Sequence, residues 1–425
     1  MHKSHVESKI HNIAVVGKDG VGKTELVNAL LKFQPKQLAT DVIEQPEEKE
    51  RGYTIYTSYY HLDNGADTMN IIDTPGNTNF LSSLNVATYV SSGAVFVAST
   101  TSDAAGAFRI WESLNKNRTP RVIFMNIADV SQGSFGDSLS AIEKNFSVKP
   151  AVLYIPWIED NQMVGIIDII NQKLIRGAGD KTAVEDLPDA AMEDVEIYRS
   201  VTYERLAELD DELMEYYIEE KPAPDELMVK VLSEGLNSCA ITPVLTGAIA
   251  EHIGIDNLYN FIRINFPTFQ QGATWVGRQT NADDAEPVER MPKPEEPFSG
   301  VTFKTVYDRY VGKLNYLLVV SGVFKKGLKL QNSSIGRKAQ TGRFYIMNGD
   351  KTDEIEEAYP GDIVVLEKVE ELETNQTICD AENVIVYDPI PFQVPRYTNR
   401  LEMTNSSKDG RIMDALNKTV VEDPT

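Results

Sequence analysis

Gly17 to Thr24, GKDGVGKT, places two glycines and a Lys-Thr pair at the spacing G-x-x-x-x-G-K-[ST]. That spacing is suited to phosphate chemistry. The backbone N–H groups around Asp19, Gly20, Val21 and Gly22 wrap a polyphosphate, and the dipole of the helix that follows favours its charge. Lys23 is expected to neutralise the β- and γ-phosphates, and the Thr24 hydroxyl to bind Mg²⁺. A second stretch, NIIDTPGNTNF (70–80), reads as the end of a buried strand entering a loop that senses a third phosphate. Asp73 is expected to hold Mg²⁺ through water, and the Gly76 amide to meet the γ-phosphate. Asn77 follows directly, and Lys23, Gly76 and Asn77 form the catalytic candidates.

Two further loops address a base. In NIAD, Asp129 can accept two N–H bonds from guanine, a pattern that adenine does not offer, and Asn126 would tie this loop back to the phosphate loop. In TGA, Thr246, Gly247 and Ala248 end a later apolar run and could back the base with their amides. Each loop alone is a weak signal. Four of them, in this order and each at a strand end, point to a guanine nucleotide with Mg²⁺.

The intervening elements explain how such loops come together. NIAVVG, MNIID, GAVFVAS and RVIFMN are apolar runs of the kind found in parallel strands covered on both faces. KTELVNALLKF, FLSSLNVATYVSS and AFRIWESLNKN lie around them with helical length and spacing. Strand–helix alternation predicts a mostly parallel, doubly wound α/β sheet with ligands at the carboxyl ends of its strands. AVLYIPW and VGIIDIINQKLI read as further strands. The stretch 189–220 lacks glycine, and its Met192, Val195, Val201, Leu206, Leu209 and Leu213 predict one or two amphipathic helices. TNADDAEPVERMPKPEEP (280–297) reads as a linker. Beyond it, GVTFKTV, LNYLLVVSG, GRFYIMN and GDIVVLEKV predict a small antiparallel barrel. One possible strand and one helix, RIMDALNKTV, close the chain.

The 425 residues leave room for two to four domains. No apolar run is long enough for a membrane span, and two distant cysteines without metal-ligand company, Cys239 and Cys379, fit a reducing cytoplasm. The formal charge of −23 argues against nucleic-acid binding by bulk electrostatics. The charge is uneven: residues 181–226 hold sixteen acidic and four basic residues, whereas 324–343 hold six basic and no acidic ones.

The order GKDGVGKT, ERGYTI, DTPGN, NIAD, TGA resembles a translational GTPase, and the detail is similar to bacterial elongation factor G. EEKERGYTIYTS resembles that family's switch I, which makes Thr54 a Mg²⁺ ligand by resemblance. The stretches beginning VGIIDII and EPFSGVTFK, together with EIEEAYPGDIVVLE, resemble its G-domain insert and second domain, and MDALNKTVVEDPT the opening helix of its third. The resemblance implies a P-loop GTPase domain over 1–285 with an α+β insert at about 153–240. A β-barrel over 296–392 and the start of a truncated third domain over 396–425 would follow. It also implies GTP/GDP and Mg²⁺ as ligands and a cytoplasmic monomer. On the ribosome, the basic face 324–343 would meet ribosomal RNA and the acidic 189–220 the stalk protein.

Several positions depart from the family. Asn77 replaces the histidine after D-T-P-G, Ile127 replaces the lysine of N-K-x-D, and Gly20 replaces a phosphate-loop aspartate. Switch I is shortened between Phe33 and Glu50. Ile127 is expected to pack on the base with its aliphatic body alone, leaving guanine preference to Asp129. A carboxamide carries no charge and is one methylene shorter than glutamine, so hydrolysis is expected to be slow or lost. A fully active ribosome-stimulated GTPase that drives translocation and a ribosome-protection protein are the alternatives.

Overall fold

The structure is a computed structural model that describes residues 9–423 apart from 35–40, 43, 44, 66, 101–103, 281, 283, 284, 309, 310, 341, 350, 393–396 and 401–408. The first half is organised around a seven-stranded sheet. Its elements begin with β1 (Lys9–Val16), α1 (Lys23–Leu31), α2 (Pro46–Arg51), β2 (Ser58–Asp63) and β3 (Asp67–Asp73). They continue with α3 (Leu81–Val90), β4 (Gly93–Ser99), α4 (Phe108–Lys116), β5 (Arg121–Asn126) and α5 (Phe135–Phe146). The strand order is β2-β3-β1-β4-β5, then Thr242–Gly247, then Pro150–Val152. All pairs are parallel except β2 with β3. β4 and β5 are buried at every position, as expected for strands covered on both faces. The order reverses at β1, so the loops after β1, β3, β4 and β5 share one edge of the sheet.

The insert departs from this pattern with a four-stranded antiparallel sheet, from Tyr154–Glu159 to Ala183–Asp186. The stretch expected to form one or two helices forms two, Met192–Ala207 and Asp211–Ile218. Val195, Leu206 and Leu213 are buried there, but Met192, Val201 and Leu209 are exposed. These last three share the apolar character of their neighbours without sharing the face that meets the core.

Ser299–Asp308 and Gly312–Ser321 are the central pair of an eight-stranded antiparallel sheet. That sheet wraps a core containing Phe298, Leu317, Phe324 and Phe344. The stretch expected to be a plain linker contains a strand. Pro287–Arg290 pairs with Trp275–Arg278, which also pairs with Val386–Tyr387, the strand that follows the barrel strands in the chain. Pro287 opens an edge strand, a place where a missing ladder donor is tolerated. The final helix spans Asp409–Glu422, and the possible strand before it lies largely outside the described residues.

The two halves meet across buried amides. Asn12 Nδ2 donates to Gly361 O at 3.0 Å, and Asn70 Nδ2 donates to Asn12 Oδ1 at 2.8 Å. His61 Nδ1 lies 2.8 Å from Asn70 Oδ1, and the His61 amide donates to Asn348 Oδ1 at 3.3 Å. Both cysteines are free thiols. Among the described residues no helix is long and apolar enough to cross a membrane.

Candidate functional site

β1 delivers the chain into the phosphate loop, and α1 begins immediately after it. Gly22 adopts φ +98°, and a Cβ there would lie 2.8 Å from Asn126 Nδ2. The loop thus needs glycine for its backbone and for the room that Asn126 takes. Asn126 fulfils its expected role as a tie. Its Nδ2 donates to Val21 O at 3.0 Å, while its Oδ1 accepts from the Ile249 amide at 3.2 Å. One side chain therefore joins the phosphate loop, the end of β5 and the loop after Thr242–Gly247.

Lys23 is buried, and its Nζ donates to Lys18 O at 2.9 Å. Burial lowers its pKa, opposed first by the charge of Asp73 and then by Asp19 and Glu25. Thr24 Oγ1 donates to Asp73 Oδ2 at 2.8 Å and lies 3.2 Å from Thr54 Oγ1. Burial pushes the Asp73 carboxyl up to about 6 despite the Lys23 charge and the Thr24 hydrogen bond. The other Asp73 oxygen, Oδ1, is buried with no hydrogen-bond partner among the described residues. Two hydroxyls and a carboxylate with a spare buried oxygen form a hard-oxygen donor set of the kind Mg²⁺ prefers. Thr24, Thr54 and Asp73 would hold the ion there.

A cleft of about 650 Å³ opens over these groups, bordered by Asp19, Gly20, Gly22, Lys23 and Thr24 on one side and Thr54 on the other. Gly76 lies directly against the phosphate loop: a Cβ there would be 2.5 Å from both the Asp19 amide nitrogen and Lys23 Nζ. Asn77 follows but does not line the cleft. Its Oδ1 accepts from the Asn79 amide at 3.0 Å, capping the turn Thr78–Phe80.

The base loops carry internal hydrogen bonds of their own. Asp129 Oδ1 accepts from the amide and hydroxyl of Ser131, at 2.9 and 2.7 Å. Ile127, expected to lie on the base, is instead 4% exposed in the core that includes Leu139 and Ile142 of α5. Its apolar side chain gains more from that core than from an open cleft. Thr246 Oγ1 donates to Met125 O at 3.1 Å, and Gly247 O accepts from the Ile127 amide at 2.8 Å. The Ala248 amide, expected to back the base, is committed to Ile253 O at 3.1 Å, because the chain turns back to form a bridge there.

Sequence reasoning overlooked Asn28, Lys32 and His252, which also border the cleft, with Lys32 Nζ 3.0 Å from His252 Nε2. Thr24, Asn28 and Lys32 recur every four residues along one face of α1, a signal the sequence did contain. Nothing local pointed to His252. Glu48 was also missed. It is 7% exposed and accepts from the Gln45, Ile55 and Tyr56 amides at 2.8, 2.8 and 2.9 Å. A glutamate three residues beyond a helix cap is a capping-box signal.

The family model of the elongation factor Tu GTP binding domain matches residues 8–268, and that of elongation factor G domain 2 matches residues 297–381. Elongation factor G of Thermotoga maritima is 29% identical over 98% of this chain and 62% of its own length. Its counterpart from Thermotoga neapolitana is 30% identical, over 98% of this chain and 61% of its own. The chain thus spans about three fifths of the length of these relatives. A crystal structure from Thermus thermophilus has the same fold, with a TM-score of 0.81 and 23% identity over 98% of this chain and 61% of that one. The phosphate loop, the hydroxyl–carboxylate cluster and the family matches lead to one assignment: the chain belongs to the elongation factor G group of the translational GTPase family.

Proposed function

We propose that this chain binds GTP and GDP with Mg²⁺ and docks on the ribosome, and that Asn77 makes its hydrolysis slow. The observation that carries the nucleotide reading is the meeting of Lys23, Thr24, Thr54 and Asp73 at one cleft. Mg²⁺, when bound, would supply charge neutralisation at the β- and γ-phosphates. Lys23 adds a buried positive charge, and the backbone around Gly20 and Gly22 offers N–H donors. Asp129, still beside the Asn126 tie, is the residue that would select guanine.

Slow hydrolysis rests on chemistry at position 77. An imidazole can carry charge opposite the transferring phosphate, whereas a carboxamide cannot. The Asn77 oxygen is also engaged with its own turn. One observation favours an active enzyme instead: Gly76 packs on Asp19 and Lys23, so the loop that carries residue 77 already meets the phosphate loop.

Ribosome docking follows the family. The basic stretch 324–343 is partly neutralised within the barrel, since Lys326 and Arg343 pair with Glu354 and Lys329 with Glu382. Lys325, Arg337 and Lys338 are exposed and belong to none of these pairs, which makes them the stronger candidates for RNA phosphates. The acidic helices 192–218 would meet the stalk protein.

The test is single-turnover phosphate release, with and without ribosomes, for the wild type, Asn77→His, Gly20→Asp and the double variant. Asn77→His should raise ribosome-stimulated release about ten-fold or more, within the roughly 10²–10⁴ assigned to a proton-handling group. Gly20 has φ +78° with open space at its Cβ, so aspartate fits sterically at a backbone cost of about 1 kcal/mol. Fast release by the wild type, or no response to histidine, would overturn the role of position 77.

A further inference from the structure

The segment that carries Thr54 is held by two residues outside the Thr24–Thr54–Asp73 cluster. On one side, Glu48 Oε1 accepts from the Ile55 and Tyr56 amides. On the other, Lys304 reaches across from the barrel strand Ser299–Asp308, and its Nζ donates to Thr57 O at 2.8 Å. The Lys304 ammonium lies 5.1 Å from the centre of the Tyr59 ring and 5.5 Å from that of Tyr316. Those rings pack 5.3 Å apart, centre to centre. The tyrosines thus form a seat that aims the amine at one carbonyl. Burial pushes the Lys304 ammonium down to about 8, with Glu422 and then Glu48 opposing. Glu422 lies on the final helix, where its Oε1 accepts from the Tyr307 amide.

We propose that Lys304 is a positioning residue for Thr54: with Glu48 it clamps residues 55–57 so that the Thr54 hydroxyl stays beside Thr24 and Asp73. This makes the barrel part of the metal site although none of its atoms would touch the ion. The proposal rests on the Mg²⁺–nucleotide reading above and assigns to the barrel a task that the reading does not contain.

The experiment measures the Mg²⁺ concentration needed for half-maximal binding of a fluorescent, non-hydrolysable GTP analogue to the full chain. Binding of fluorescent GDP in EDTA and the thermal midpoint are measured alongside. Lys304→Met keeps the apolar stem between the two tyrosines and removes the donor. It should raise the Mg²⁺ requirement about ten-fold, since a hydrogen bond from a charged donor contributes about 1.5 kcal/mol or more. Lys304→Arg should recover most of that loss. Glu48→Gln, which leaves the barrel untouched, should shift the requirement in the same direction. The deciding measurement is the double variant Lys304→Met/Thr54→Ala. If Lys304 acts through Thr54, the pair should need no more Mg²⁺ than Thr54→Ala alone. Additive losses, an unchanged Mg²⁺ requirement in a folded Lys304→Met protein, or an equal loss of Mg²⁺-free GDP binding would each overturn the clamp. Absence of Mg²⁺-dependent binding in the wild type would instead overturn the nucleotide reading itself.

Discussion

Segments 54–57 and 76–80 flank the same phosphate loop but are secured in opposite ways. The first is held from outside by a helix-borne glutamate, a barrel lysine and the Thr24 hydroxyl. The second meets its surroundings through Gly76, and Asn77 then caps a turn within the same segment. A segment held by distant residues reports on the arrangement of the whole molecule. A segment that caps itself can move without disturbing the rest, because the bonds it makes travel with it.

The largest effect is expected from removing the room at Gly76. Gly76→Ala places a methyl where Asp19 and Lys23 already stand, so the loop must retreat. Phosphate release should fall about 10²-fold or more, the scale of losing one positioned backbone donor, while GDP affinity is unchanged. Equal loss of GDP binding would mean that this segment, too, supports the whole cleft. Next comes the base loop. Asp129→Asn should cost GTP about ten- to a hundred-fold in affinity, the worth of a hydrogen bond to a charged acceptor, and shift preference toward xanthosine nucleotides. Competition binding with GTP and XTP checks this, and unchanged preference would remove Asp129 from base recognition.

A smaller effect, at Asp73 between the two segments, is set by pH. The Asp73 carboxyl sits at about 6 in the folded protein, above its usual 3.8. Without metal, the fold binds this proton more tightly than the unfolded chain does. The contribution of Asp73 to stability is therefore present below pH 3.8 and is lost as pH rises through 6. Mg²⁺ must displace the same proton, so its affinity should fall about ten-fold per pH unit below 6. Calorimetric Mg²⁺ titrations of the GDP complex at about pH 5, 6 and 7 would measure it, and a flat profile would rule Asp73 out as the carboxylate involved. The smallest effect lies far from the cleft. Reversing Glu208, Asp211 and Glu215 to lysine should change stability by about 1 kcal/mol or less, mostly through Asp211 in the first turn of its helix. The same change should weaken capture of a basic partner in a salt-sensitive way. Unchanged capture of stalk protein would remove the proposed docking role.

Much of the cleft was readable because its contacts are short in sequence or fixed by a motif. Lys23, Thr24 and Asp73 meet because a strand, a loop and a helix leave them no other arrangement. The parallel sheet was legible for a similar reason, since apolar runs without alternation have few other homes. What could not be read depends on distant packing. Lys304 stands 247 positions from Thr57, and nothing near either residue names the other. The commitment of the Ala248 amide depends on a tight return involving His252 at φ +60° and Gly254 at φ +78°. Ile127 looked like a replacement for a base-stacking lysine. Its apolar side chain was equally suited to the core beneath α5, and the core is where it packs.

The three-stranded ribbon made by Trp275–Arg278, Pro287–Arg290 and Val386–Tyr387 has a mechanical consequence. The chain enters the barrel through one strand of this ribbon and leaves it through another. Both seams are fastened to the middle strand, which leads directly from the first half of the molecule. A barrel attached by a single tether could swivel about it. This one is sutured at entrance and exit, so it cannot turn on its connector without tearing main-chain hydrogen bonds. Any large reorientation must therefore take the ribbon along as part of the moving body, with the pivot on the sheet side of Trp275.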